Sequence, residues 1–449
     1  MSTPFDSVIF KPLFSDDEVA ALLGDAAFVN ALVQVEIALA RAEARAGIIP
    51  GLAAERIAEI EAALIDIARL AAGTARSGFP IIALVQELRK QAGADAAPFV
   101  HWGATTQDIM DTACVLQLRA ITDVLRARLL EVIRSLAALA EAHRDTVLAG
   151  RTHSQQALPI TFGLKVAGWI APLVRHMERL DEIQPRLMVV QFGGAAGTLA
   201  ALANKGLMVI DELAKQLKLS PPLIAWHTQR DGLVEFAGWL SLVTGGLGKM
   251  AQDIILLAQT EVGEVAESGE SGRGGSSTMP QKSNPITSEL IVAAARSNAA
   301  LLSAMHQAQI QEHERGTHGW QMEWLTLPQM VLLTGGALKH ARYLTANLQV
   351  HGTAMLANIR RGQDLILAEA AVFALSRSIS RSEAEELVKG ACTVAAAEAR
   401  PFIEVIASLA NERVDQNSVD WPEIAEPKNY LGEANRMLDA VLERAKALT

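Results

Sequence analysis

Between Gly103 and Gly150 the chain has neither glycine nor proline, and apolar residues recur there at helical spacing: Val115, Leu118, Leu125, Leu129, Val132, Leu136 and Leu139. Nothing in that span stops a helix. About 35 residues at ~1.5 Å each make a rod ~50 Å long, about three times an ordinary helix. A second unbroken stretch lies between Pro285 and Gly316. A third helical period runs from Leu233 to Val265, thinned by Gly238, Gly245, Gly246 and Gly248. Glycine costs a helix about 1 kcal/mol relative to alanine, so close approach of a neighbouring helix is the expected reason for these four. Rods that are apolar over much of their circumference need partners on several sides, which a bundle supplies in part and an oligomer completes.

Composition agrees with helix. Half of the 449 residues are hydrophobic, 20% are charged and only 4% are aromatic, which suits a sizeable aliphatic core. Shorter helices are expected over Asp16 to Gly47, Ala53 to Ala72 and Phe79 to Gln91. Ser380-Arg381-Ser382-Glu383 reads as a capping box opening a helix that Pro401 ends. No alternating strand pattern and no tandem repeat is visible. The expected fold is all-α in three parts: 1–111, 112–352 with the long helices, and 353–449. The uncharged run from Leu187 to Asn204 is barely long enough to span a bilayer and reads as a buried helix entered through a loop.

Fifty acidic against 40 basic residues give a net charge of −10, which with no basic cluster disfavours nucleic acid as a partner. Two cysteines, Cys114 and Cys392, support neither a disulfide framework nor a zinc site. His306, His313 and His318 match no ligand spacing, so no metal is expected. The N-terminus lacks the features of a signal peptide, and a cytoplasmic protein with no membrane partner is expected.

Three polar segments interrupt the helices. Ser268 to Pro285 (SGESGRGGSSTMPQKSNP) holds four glycines and five serines, but neither a phosphate-loop nor a serine-hydrolase motif. It reads as a mobile lid carrying a serine, a lysine and an amide to a substrate. His101-Trp102-Gly103-Ala104-Thr105-Thr106-Gln107-Asp108 opens the first long helix, where Thr106 or Asp108 caps the helix or, alternatively, the segment's hydroxyls and amides form an anion site. Arg151-Thr152-His153-Ser154-Gln155 lies beyond that helix's far end.

In this order the three segments resemble the motif regions of the fumarase/aspartase superfamily, whose third region reads GSSxMPxKxNP. Gly275 to Pro285 supplies all eight fixed positions. The likeness continues through Gln229-Arg230-Asp231 and Glu312-His313-Glu314-Arg315 into Arg381 to Phe402, and so covers nearly the whole chain. It implies an all-α fold with a central bundle of long helices. It also implies a homotetramer with active sites built from three subunits, and no cofactor. The implied reaction is addition or elimination across a carbon–carbon bond beside a carboxylate.

The resemblance implies the residue roles as well. Ser276 would act on carbon, its alkoxide stabilised by loop amides and Lys282; His153 would handle the heteroatom's proton. The dianionic intermediate would be stabilised by Lys282 and Asn284. Thr105, Thr106, Arg151, Gln155 and Arg315 would hold substrate carboxylates, with His101, Thr152, Gln229, Ser277 and Met279 lining the site.

Phe79-Pro80 stands where adenylosuccinate lyases carry a His-Asp pair. The segments Val100 to Asp108, Trp226 to Asp231 and Gly319 to Trp324 are similar instead to the 3-carboxy-cis,cis-muconate cycloisomerases. That branch implies a tricarboxylate substrate closing on itself to a lactone, where a carboxylate nucleophile needs no deprotonation. His153 would then be either an acid/base or a charge-balancing group. A fumarate-eliminating adenylosuccinate or argininosuccinate lyase and a catalytically silent helical oligomer are the alternatives.

Overall fold

A computed structural model describes residues 3–267, 274–275, 278–279, 282–415 and 418–448. Among them are 18 α-helices and four short strands, and the chain is all-α as its composition implies. The unbroken stretch becomes a helix of 37 residues, Thr106–Ala142. Its Leu118, Ile121, Leu125, Leu129, Val132, Leu136 and Ala140 are at most 2% exposed, the three- and four-residue steps of one apolar stripe. Phe162–Leu187, Asp231–Leu257, Ile286–Ala308 and Gly319–Asn347 are the other long helices.

Two compact units divide the chain: Met1–Arg128, His176–Gly245 and Ala293–Lys339 form the first, and Leu129–Arg175, Gly246–Val292 and His340–Thr449 the second. Each long helix contributes residues to both. The core of the first unit gathers Leu32, Leu39, Ile57, Leu84, Leu88, Val209 and Leu213; that of the second gathers Ile359, Leu367, Leu375, Val388, Phe402 and Ile406. The capping box is present, with Ser380 Oγ accepting from the Glu383 amide and Glu383 accepting from the Ser380 amide.

Several local expectations are corrected. The Asp16 to Gly47 helix is two, Asp17–Leu23 and Asp25–Arg45, bent by 47° at Gly24. Ala53 to Ala72 also breaks, because the Asp66 carboxylate accepts the Arg69 amide and starts a new helix, Ile67–Ser77. Residues 188–199 are not helical: Val190, Gln191 and Phe192 are buried in a loop whose turns use Gly194 and Gly197 at positive φ.

Strands occur too. Val147–Thr152 pairs antiparallel with Gln155–Thr161, and Val265–Glu267 with Leu348–Val350. Gly150 and Pro159 mask the alternation of the first pair, whose register slips between Ala149 and Arg151. At Gly163, just past this hairpin, a Cβ would lie 2.8 Å from the Ala140 carbonyl, so only glycine allows so close a return to the helix end.

Among the described residues no atom lies within 4 Å of a Cβ built at Gly238 or Gly245 of Asp231–Leu257, so a neighbouring helix at these two glycines would have to come from another copy of the chain. By length and hydropathy this helix could cross a membrane, but half of its most apolar window is buried within the chain, and core helices pass the same test.

Two carboxylates interrupt the buried stripe of Asp25–Arg45: Glu36 and Glu43. Neither Glu43 oxygen has a partner among the described residues. Burial, with Glu36 nearby, pushes its carboxyl up from 4.5 to about 9. Between those values the unfolded chain releases a proton that the native state keeps, so this group's contribution to stability falls as pH rises. Glu43→Gln is therefore expected to raise the urea midpoint more at pH about 8.5 than at pH about 5. Equal shifts at both pH values would show that Glu43 titrates normally.

Candidate active site

In the first unit the site is built around Asp108, which is fully buried near the start of Thr106–Ala142. Its carboxylate accepts the amides of Thr105 (3.0 Å), Gly193 (2.9 Å) and Gly194 (3.0 Å), and the His227 Nε2–H at 2.8 Å. Four donors satisfy a charge that would otherwise be costly to bury. Alongside, the Gln107 amide donates to the His227 carbonyl, and Thr112 Oγ1 exchanges hydrogen bonds with the Gln191 backbone. Arg315 then donates to the carbonyls of Gly194 and Ala195 at 3.2 and 3.1 Å. Segments more than 200 residues apart in sequence are thus sewn into one polar edge bearing His101, Thr105, Thr106 and Arg315. Gln229 is exposed beside His227, its amide within 3.3 Å of Thr228 Oγ1.

His101 occupies left-handed backbone, φ 63°, and its Nδ1 lies 2.6 Å from Glu36 Oε1. Burial lowers its proton affinity, but Glu36, by charge and hydrogen bond, and then Asp108 outweigh that, so the ring titrates above its ordinary value.

Behind these segments, Arg230 is fully buried between two carboxylates. Asp111 takes its NH1 and NH2 at 2.6 and 3.0 Å, and Glu323 takes its Nε and NH2 at 2.8 and 2.6 Å. Trp320 Nε1 donates to Asp111, and Trp226 lies across the guanidinium at 4.8 Å. Arg230, Asp111, Glu323 and Trp320 border a cavity of about 430 Å³ whose other walls are mostly apolar, including Phe28, Leu118, Trp324 and Leu327. Among its lining residues the cation Arg230 is taken by Asp111 and Glu323, so it offers a polycarboxylate no free cation.

In the second unit the expected segment Arg151 to Gln155 is the tip of a β-hairpin. Thr152 pairs with Gln155, leaving His153 and Ser154 as a two-residue turn with φ of 49° and 64°. Such a turn favours asparagine and glycine; histidine and serine there carry strain of the kind found at functional sites. Thr152, His153 and Gln155 are all exposed. Arg151 behaves differently: NH1 and NH2 close on Glu264 at 2.9 and 2.7 Å, and the Asn358 amide braces the same carboxylate at 2.8 Å. The fork expected to grip a substrate carboxylate is thus held by a buried one of the chain's own. Glu264→Ala is expected to cost about 2–3 kcal/mol in urea unfolding, by stranding Arg151 and Asn358 together. A loss below about 0.5 kcal/mol would show that the pair does not hold the hairpin.

The third segment is described in part. Ser283 bridges to Gly275, the Asn284 amide donates to the Gly274 carbonyl at 2.8 Å, and the Lys282 amide to Met279 at 3.1 Å. Gly274, at φ 72°, is required, because a Cβ would sit 2.4 Å from the Asn284 carbonyl oxygen. Beneath it Glu267 caps Ile286–Ala308, accepting the amides of Thr287 and Ser288 and the Ser288 hydroxyl. Lys282 and Met279 are exposed. Ser276 and Ser277 lie outside the described residues. Among the described residues no group of three or more His, Cys, Asp or Glu is placed to hold a metal ion.

Glu36, Glu264 and the Arg230 pairing lie outside the residues that the sequence singles out, and Asp108 stands there only as a candidate helix cap. Glu36 had a signal: a carboxylate within the helical stripe of Leu32, Leu39 and Ala40 must find a partner when buried.

Residues 16–297 match the lyase family, and residues 364–441 match the adenylosuccinate lyase C-terminus. The chain is 43% identical over 447 residues to the 3-carboxy-cis,cis-muconate cycloisomerase of Pseudomonas aeruginosa, covering 98% of this chain and 97% of the relative. It is 40% identical over 439 residues to trans-aconitate decarboxylase 1 of Mycosarcoma maydis, covering 96% of this chain and 88% of the relative. The crystal structure of the 3-carboxy-cis,cis-muconate lactonizing enzyme from Pseudomonas putida superposes with a TM-score of 0.92 at 39% identity, covering 98% of this chain and all of that one. With the three motif regions in order on an all-α scaffold, the chain belongs to the lyase family, within the fumarase/aspartase superfamily.

Proposed function

We propose that this protein is a 3-carboxy-cis,cis-muconate cycloisomerase of protocatechuate catabolism, closing its substrate to 4-carboxymuconolactone. The observation that carries this choice within the family is at Phe79. Where nucleotide-cleaving relatives place a histidine, Phe79 stacks on Trp320 at 5.5 Å and meets Trp324 edge-on at 6.0 Å. That position is committed to an aromatic cluster and has no proton to give.

One substrate carboxylate oxygen forms a bond to a diene carbon, and the adjacent carbon takes a proton. A trianion becomes a dianion, so one proton is drawn from solvent per turnover. Ring closure is helped because the nucleophile is already attached. What remains for the protein is to hold three carboxylates, stabilise the enolate-like charge and deliver the proton. Arg315, cationic His101, Thr105 and Thr106 supply donors on one polar edge, and Lys282 and Asn284 on another. Ser276 has the role of passing the proton to carbon, as the motif match implies. His153 balances charge at the hairpin tip, with Thr152, Gln155, Gln229, Ser277 and Met279 lining the site. Arg151 acts on substrate through the hairpin it fixes to Glu264. No electrons leave the substrate, so the reaction calls for no redox cofactor, and none is proposed, nor a metal.

The protein acts as a homotetramer in the cytoplasm, without nucleic acid or membrane. Supporting the oligomer, Gly238, Leu242 and Gly245 fall at three- and four-residue steps on Asp231–Leu257, with Leu242 49% exposed, and Leu325 on Gly319–Asn347 is 69% exposed. Partner helices would cover such surface.

The decarboxylase relative favours a second reading, loss of carbon dioxide from a tricarboxylate alkene. The purified enzyme should be given 3-carboxy-cis,cis-muconate, trans-aconitate and adenylosuccinate separately, following diene absorbance, carbon dioxide and fumarate. Loss of the diene alone is expected; turnover of trans-aconitate with the diene untouched would transfer the assignment.

A further inference from the structure

We propose that Glu36 is a positioning residue for this reaction: from beneath the site it holds His101 by Nδ1 and keeps the ring a cation, so that Nε2–H is presented to a substrate carboxylate. The inference rests on the substrate reading above and adds to it a group far from the three motif regions.

Glu36 lies on Asp25–Arg45, its side chain 1% exposed among Leu32, Val35, Leu39 and Ala40, none above 3%. A carboxylate in such surroundings must be paired or give up its charge. The two buried acids of this helix differ in what they meet. Glu43 has no partner among the described residues, and burial, with Glu36 nearby, pushes its carboxyl up to about 9. Glu36 has His101 at 2.6 Å, while its second oxygen is unpartnered among the described residues. A buried anion with one imidazole partner favours imidazolium strongly.

The other charged groups acting on the ring are Asp108, at the start of Thr106–Ala142, and Arg89, on Ile81–Ala92. Asp108 supports the cation and Arg89 opposes it. Asp108 is already engaged by three backbone amides and His227, so Glu36 is the group that bonds the ring directly. The ring is also held where the backbone resists, at positive φ without being glycine. With Nδ1 bound below and the side chain 17% exposed, Nε2 is the nitrogen left for a ligand.

The test uses the full-length enzyme, wild type and Glu36→Gln, with the His101 ring followed by NMR through a pH titration and steady-state kinetics on 3-carboxy-cis,cis-muconate. The wild-type ring is expected to titrate above an ordinary histidine and to drop in Glu36→Gln. KM should rise about tenfold at a pH where the wild-type ring is charged and the variant's is not, with kcat changed less than about threefold, and the gap should narrow as pH falls and the variant's ring regains its proton. Glu36→Asp should recover part of the loss. In a His101→Gln background, Glu36→Gln should add no further KM effect.

A wild-type ring titrating at or below the ordinary value overturns the proposal even if the variant does not fold. So does a KM change that is the same at every pH. If the ring shifts as expected but wild-type enzyme does not turn over the tricarboxylate, the substrate reading fails while the Glu36–His101 coupling stands.

Discussion

Arg230→Ala is expected to cost about 3–5 kcal/mol, enough to remove much of a typical domain's stability. Arg230 is fully buried between two bidentate carboxylates, and without it Asp111 and Glu323 face each other in the wall of an apolar cavity. Burial already pushes the Glu323 carboxyl up even with the guanidinium present. For Arg230 itself burial works against the charge, but Asp111 and Glu323 more than offset it and raise its proton affinity. The stranded carboxylates would relieve themselves by binding protons in the native state, so the deficit should shrink as pH falls from about 8 to about 5. Removing all three charges together, as Arg230→Met with Asp111→Asn and Glu323→Leu, should recover most of the loss, because what hurts is the unpaired carboxylate and not the missing cation. Urea melts of the single and triple variants at two pH values measure this. A single-variant loss below about 1 kcal/mol would mean the triad is not a structural tie.

Ser276→Ala is expected to lower kcat by about 10²–10⁴-fold while leaving the urea midpoint unchanged, the range in which positioned acid–base groups contribute. The expectation comes from the match of Gly275 to Pro285 to the superfamily motif. A serine can pass a proton to carbon only if its alkoxide is stabilised, a task that the motif's lysine and backbone amides suit. His153→Asn should cost less, since a carboxylate nucleophile has no proton to lose. Single-turnover rates of both variants compare the two roles directly. Wild-type rates in Ser276→Ala would remove it from the mechanism.

Long-range periodicity was the most legible part of this fold. The absence of glycine and proline between Gly103 and Gly150 located the 37-residue helix almost to its ends, and Ser380 with Glu383 located another helix start. Local competitors were harder to see. Gly24 and Asp66 break helices that the apolar pattern alone would continue, and Gly150 and Pro159 hide a hairpin whose pairing is set by its two strands. For the site, the polar segments were conspicuous because they interrupt helices. Their supports were not, because Glu36, Asp108, Glu264 and Glu323 each have meaning only beside a partner 65 to 119 residues away. Sequence spacing on a single helix does not disclose such pairs. Arg151 illustrates the consequence: its residue type fits carboxylate binding, and the fold supplies that carboxylate from Glu264.

The net charge of −10 sharpens the central question, since a trianion must enter an acidic body. Local cations at Arg315, His101 and Lys282 are the proposed answer, and product formation tests whether they serve that purpose. 3-Carboxy-cis,cis-muconate should be converted in deuterium oxide and the product identified by NMR. The expected product is 4-carboxymuconolactone with a single carbon-bound deuterium. An unchanged diene, a decarboxylated product or released fumarate would contradict the assignment.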